Sequence, residues 1–190
     1  MEKTYIEDKT FQNIDFTTNE LSDGEYEKCI FINCNFSNLN LSKLNFSGCE
    51  FSSCNMSLAD LTKTAFQDIK FKDCKLLGLH FDNCSEFRFT VEFDNCVLNL
   101  CSFYKRKLKK TTFKNSSLHE VDFTETDLSG SLFANCDLTR ATFENTILEK
   151  ADLRTAFNYS IDPERNKIKK AMFTMPGIVG LLDKYDIKIE

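Results

Sequence analysis

Tryptophan is absent from this 190-residue chain, proline occurs twice and glycine six times. Collagen, disordered chains and turn-rich sandwiches all draw more heavily on these last two residues, so the three classes are excluded. No apolar run reaches the roughly eighteen residues of a membrane-spanning helix. The opening MEKTYIEDKT lacks the basic-then-apolar order of a secretion signal, which predicts a cytoplasmic protein with no membrane partner. Histidine is scarce too: His80 and His119 are the only two, and neither belongs to an HExxH, a nucleophile elbow or a phosphate loop. Positive charge is in deficit, 24 bases against 29 acids for a net of −5, which argues against general nucleic-acid binding.

Phenylalanine is plentiful, and it is periodic. Every fifth residue from Ile6 to Phe81 is apolar, and so is every fifth residue from Phe93 to Leu153. Of 19 phenylalanines, 16 fall in this register once Phe173 is counted. A period of five fits neither a helix nor a flat strand. It fits a coil with four flat sides, each side one short strand and a corner of the five-residue period, so that a rung closes at every fourth repeat. Residues one rung apart then stack in columns such as Phe11, Phe31, Phe51 and Phe71, while Phe and Leu alternate from Phe93 to Leu148 so that large faces large across the core. A chain of this length buries a core in one domain.

The position two before each apolar residue also points inward and must be small. All nine cysteines fall there in the local five-residue register: Cys29, Cys34, Cys49, Cys54, Cys74, Cys84, Cys96, Cys101 and Cys136. An odd number without a secretion signal predicts reduced thiols. Spacings of five do not bring ligands round one ion as CxxC does, so the cysteines are buried packers, and no metal or other cofactor is predicted. Two residues after the apolar one, Asn33, Gly48, Asp73, Asn135 and Asn145 suit corners with φ > 0.

Units such as SLADL (57-61), ETDLSGSLF (125-133) and KADLR (150-154) resemble the pentapeptide-repeat family over nearly the whole chain. The resemblance implies an all-β solenoid, a right-handed quadrilateral β-helix of about eight coils. Its quinolone-resistance (Qnr-like) branch binds type II topoisomerases as a DNA mimic and dimerises through a C-terminal segment. That branch projects loops from its coil, whereas only two extra residues are available here.

Those two residues fall between Phe81 and Phe93, where the register slips by two, so the β-helix of 1-173 divides into two half-rods at 82-92. Phe87, Phe89, Val91 and Phe93 alternate with polar residues as in a longer strand. Stepping back one rung sets Glu86 under Arg106, which stands in a small-residue position, and predicts a semi-buried pair. In 174-190, Ile178, Leu181, Leu182 and Tyr185 follow Pro176 with helical spacing and Ile187 and Ile189 alternate. This predicts a short C-terminal α-helix and strand that cap the coil and form a homodimer interface.

A solenoid filled with phenylalanine offers no pocket for a small-molecule substrate, and catalysis is not expected. The acids Asp15, Glu20, Glu25, Glu50, Asp60, Asp122, Asp127, Asp137 and Asp152 each precede an inward residue and face out, as a DNA-mimic surface would. A basic band, Lys105, Arg106, Lys107, Lys109, Lys110 and Lys114, interrupts them and gives 105-119 a charge of +6 between more acidic stretches. Two functions stay open: a mimic that binds DNA gyrase or topoisomerase IV, and a protein-protein scaffold with an unrelated partner.

Overall fold

The structure, a computed structural model, describes residues 4–188. Eleven short strands punctuate the coil: β1 (Thr4–Glu7), β2 (Thr10–Gln12), β3 (Gly24–Glu27), β4 (Ile30–Ile32), β5 (Asn45–Ser47), β6 (Glu50–Ser52), β7 (Ala65–Gln67), β8 (Ile69–Lys72), β9 (Val91–Asp94), β10 (Thr112–Lys114) and β11 (Leu132–Ala134). All pair in parallel, and they form two sheets, β1-β3-β5-β7 and β2-β4-β6-β8-β9-β10-β11. Partners stand one rung apart, Phe31 on Phe51 for example, as the column spacing requires.

Four faces result. The four-stranded sheet is the first and continues as the bridges Lys107–Asp127–Ile147–Lys167. The seven-stranded sheet is the second and runs on through Leu132–Asp152–Met172. The third is the bridge ladder Asp15–Asn35–Asn55–Lys75–Val97–Ser117–Asp137–Phe157, and the fourth holds Asn40–Asp60 and His80–Ser102–Asp122–Thr142. Corners take φ near +50°, as at Asn33 and Asn135, and the coil imposes the same left-handed backbone on Lys110 and Leu58.

Inside, aromatic rings pile coil upon coil. Phe31 and Phe51 stack at 4.7 Å and Phe113 and Phe133 at 4.9 Å, while neighbouring columns meet edge to face, as Phe103 and Phe113 do at 83°. Each such pair contributes about 0.5–1.5 kcal/mol beyond area burial. The small inward position does more than save space. Thr64, Thr126, Ser131 and Thr146 donate their hydroxyls to a carbonyl of the preceding coil at 2.7–2.8 Å, and Cys54 directs its Sγ to the Phe31 carbonyl at 3.3 Å. A donor of this size satisfies a carbonyl that faces the core.

At the slip, Phe71 pairs with Phe93 and Phe81 stacks on Phe103 at 4.7 Å, so the step there exceeds the regular rung by two. The first face absorbs the surplus as a bulge over 85–90. No long strand forms from Phe87: its ring is 70% exposed, Phe89 is half-buried, and the extended pairing is confined to β9. With this longer step, Arg106 stands over Cys84. The expected Glu86–Arg106 pair is therefore replaced. Arg106 is 4% exposed, its Nε donates to the Phe81 carbonyl at 2.7 Å, and one terminal nitrogen donates to the carbonyls of Asp82 and Cys84. Its guanidinium also lies 5.0 Å from the Phe89 ring centre. The Nε bond is the same carbonyl contact that Thr126 makes elsewhere, reached across the longer step.

The predicted C-terminal α-helix is instead two 3₁₀ turns, Pro176–Leu181 and Asp183–Tyr185. A Cβ on Gly180 would lie 2.1 Å from the Tyr159 carbonyl, and one on Gly177 2.3 Å from its hydroxyl. The glycines thus let the segment press on Tyr159, and the Ile161 amide donates to the Gly180 carbonyl at 2.8 Å, giving the last coil a partner. Leu181 packs on the core, so these turns lie against the last coil. Ile187 is exposed and in no strand, and Ile189 lies outside the described residues. Among the described residues, no helix is long and apolar enough to cross a membrane.

Candidate interaction surface

Outward side chains hold the chemistry of this molecule. Where Asp or Asn stands before the inward residue of a bridge-type side, it closes the corner: Asp60 accepts from the Thr62 amide and hydroxyl at 2.9 and 2.6 Å, and Asp127 from Ser129 at 3.1 and 2.5 Å. Asp15, Asp122, Asp137 and Asp152 make the same turn. So do Asn35, Asn40 and Asn55, which shows that the turn needs an oxygen and not a charge. The Thr62 bonds hold Asp60 below the usual carboxylate range. Partial burial works the other way on Asp137, yet bonds from Thr139, Asn158 and His119 bring it down to about 2.

The nine acids do not form one row. Glu25 and Asp127 lie on the first face, Glu50 and Asp152 on the second, Asp15 and Asp137 on the third, and Asp60 and Asp122 on the fourth, with Glu20 one coil before Asn40. The structure gathers a different acidic set. On the third and fourth faces after the slip stand Glu120, Asp122, Glu125, Asp137, Glu144, Asp162 and Glu164. Arg140, Arg165 and Lys184 pair with four of them. Glu144 and Glu164 directly follow the central position of their repeat and Glu120 stands two after it, whereas the sequence pattern picked only acids directly before the central residue.

The basic band does not hold together either. Arg106 leaves the surface entirely. Lys105 pairs with Glu125 at 3.6 Å, Lys109 with Asp127 at 3.2 Å and Lys114 with Asp94 at 2.9 Å on the second face. Lys107, Lys109 and Lys110 also line up with Lys150, Lys167, Lys169 and Lys170, two to three coils on, along the first face. Charge that alternates along the sequence is thus sorted round the square: the second half-rod has a basic first face and an acidic third and fourth.

All nine thiols are free and buried, and burial raises Cys49 and Cys101 to about 12. Among the described residues, no group of His, Cys, Asp and Glu is arranged to hold a metal. A groove of about 480 Å³ lies beside the C-terminal turns between Phe157, Tyr159, Pro176 and Val179. Of the predicted dimer residues, Ile178 and Leu182 are half-buried and Tyr185 is exposed.

A profile of the pentapeptide repeat region matches residues 24–88 and 85–157. No curated protein matches the chain. Among solved structures, a trypsin-treated variant of QnrB1, described as a plasmid-mediated fluoroquinolone resistance protein, aligns at 20% identity and a TM-score of 0.71, covering 98% of this chain and 92% of that one. Full-length QnrB1 aligns at 18% identity and a TM-score of 0.54, covering 97% and 100%.

Proposed function

Since the chain belongs to the pentapeptide-repeat family, whose members share a coil and differ at the surface, we propose that it is a non-catalytic protein-binding rod that presents its acidic side to a type II topoisomerase in place of DNA. The observation that carries this is the set of seven carboxylates on two adjoining faces from Glu120 to Glu164, in coils about 4.8 Å apart. The likeness to QnrB1 supports the choice of partner. Nine free thiols suit a reducing, cytoplasmic setting.

The test is DNA gyrase supercoiling with the protein titrated in, with and without a quinolone, at two salt concentrations. Inhibition or drug protection that weakens with salt supports mimicry. Asp122→Asn with Asp137→Asn keeps the corner bonds and removes charge, and it should weaken the effect about tenfold, whereas Asp152→Asn on the second face should not. No effect of the unaltered protein at tens of micromolar favours a scaffold with an unrelated partner, to which the basic first face offers the opposite charge.

A further inference from the structure

The first face has opposite charges at its two ends and an exposed aromatic between them. Four coils precede the bulge, at Tyr5, Glu25, Asn45 and Ala65, and four follow, at Lys107, Asp127, Ile147 and Lys167. Phe87, 70% exposed, is at the midpoint. At outward and corner positions the first four coils bear Glu7, Asp8, Glu25, Glu27 and Asp68 against Lys28, Lys43 and Lys63, with the acids other than Asp68 gathered in the first two coils, and the last four bear the lysine row with Asp127 and Glu149 among it.

We propose that two copies of the chain associate antiparallel through this face, about a two-fold axis at Phe87. The symmetry sets the first coil of one copy on the last of the other, so Glu7 meets Lys169 and Asp8 meets Lys170 of the second copy. Three coils in, Asp68 meets Lys110. Glu27–Lys28 meets Glu149–Lys150, where each charge finds its opposite diagonally. Between these rows the glycine corners Gly48 and Gly130 oppose each other and leave the backbones room to approach. Turning the second copy parallel would set acid on acid and lysine on lysine, so charge selects the antiparallel form. A groove of about 310 Å³ beside Phe87, floored by Ala65 and Ser47, receives the other copy's ring.

An interface of this kind is isologous and closes at two. One flat face of nine coils at about 4.8 Å each is near the lower size limit for a stable complex, which predicts micromolar, salt-sensitive association.

Because every native thiol among the described residues is buried, Phe87→Cys introduces one exposed thiol at the axis. Sedimentation velocity and mild oxidation of that variant should give a dimer at low salt, linked through residue 87, whose dissociation constant rises at least tenfold in 0.5 M salt. Glu7→Lys should weaken the unmodified protein's dimer, and adding Lys169→Glu should restore it. A monomer at tens of micromolar in low salt overturns the proposal. So does a dimer that cross-links through Val179→Cys at the C-terminal turns and not through residue 87.

Discussion

Arg106 and Cys84 stand one above the other across the irregular coil, and the guanidinium of the first donates to the carbonyl of the second. Burial draws the Arg106 pKa down, yet three carbonyls and the Phe89 ring keep the cation in place. Arg106→Ala strands those carbonyls in the core and should cost about 3 kcal/mol in urea unfolding. Arg106→Thr should recover part of this, since threonine reaches the equivalent carbonyl in regular coils. An unchanged midpoint for Arg106→Ala would deny the residue its structural role.

The thiols should resist modification. Burial raises the pKa values of Cys49, Cys101 and Cys136, the neighbouring Cys74 together with burial raises that of Cys54, and the thiolate is the reactive form. The folded protein is expected to react with a disulfide reagent at none of the nine within minutes, and at all nine in denaturant. Cys54→Ser, which keeps a donor to the Phe31 carbonyl, should change stability by less than about 1 kcal/mol.

Corner aspartates should tolerate loss of charge but not loss of the oxygen. Asp60→Asn is expected to leave the thermal midpoint near that of the parent. Asp60→Ala loses both Thr62 bonds and should cost about 1 kcal/mol.

Acid should weaken the fold in a defined window. The folded pKa values of Asp15, Asp60, Asp127 and Asp137 lie below ordinary carboxylate values, so their contribution is complete above about pH 5. It fades as pH falls through the folded values, near 2 for Asp137. Urea midpoints should therefore drop between pH 5 and pH 2, and Asp137→Asn should flatten part of that drop.

Gly180→Ala should loosen the cap, because its methyl would collide with the Tyr159 carbonyl and break the bond from Ile161. Faster amide exchange at Ile161, with exchange unchanged near Phe31, is the expected signature.

The coil was legible because its period is enforced by geometry: a polar residue at Phe31 or Phe113 would strand a dipole in a phenylalanine stack. The nine cysteines were placed inward on the same ground. What the spacing missed traces to the two surplus residues. A regular rung sets Arg106 over Glu86, a rung longer by two sets it over Cys84, and only the three-dimensional path of 85–90 decides between them. The acidic residues were legible as outward but not as belonging to separate faces. Asp137 and Asp152 are three sides of the coil apart and stand on different faces, whereas Asp122 and Glu144 share one. The C-terminal spacing suited an α-helix, but Gly177 and Gly180 had to fit against Tyr159, a contact no local pattern encodes.

The second face runs through the slip without a break, while the first loses its ladder there. Such a rod has continuous second and third walls and a first wall that is interrupted by a notch at mid-length, so bending is easiest where that ladder is missing. Bending that opens the notch pulls on Arg106, which ties the two lips together, and bending across the second face strains seven consecutive strands. The mechanical compliance of the molecule is thereby directional, with Arg106 bonding across the one coil step that the first face leaves without a ladder.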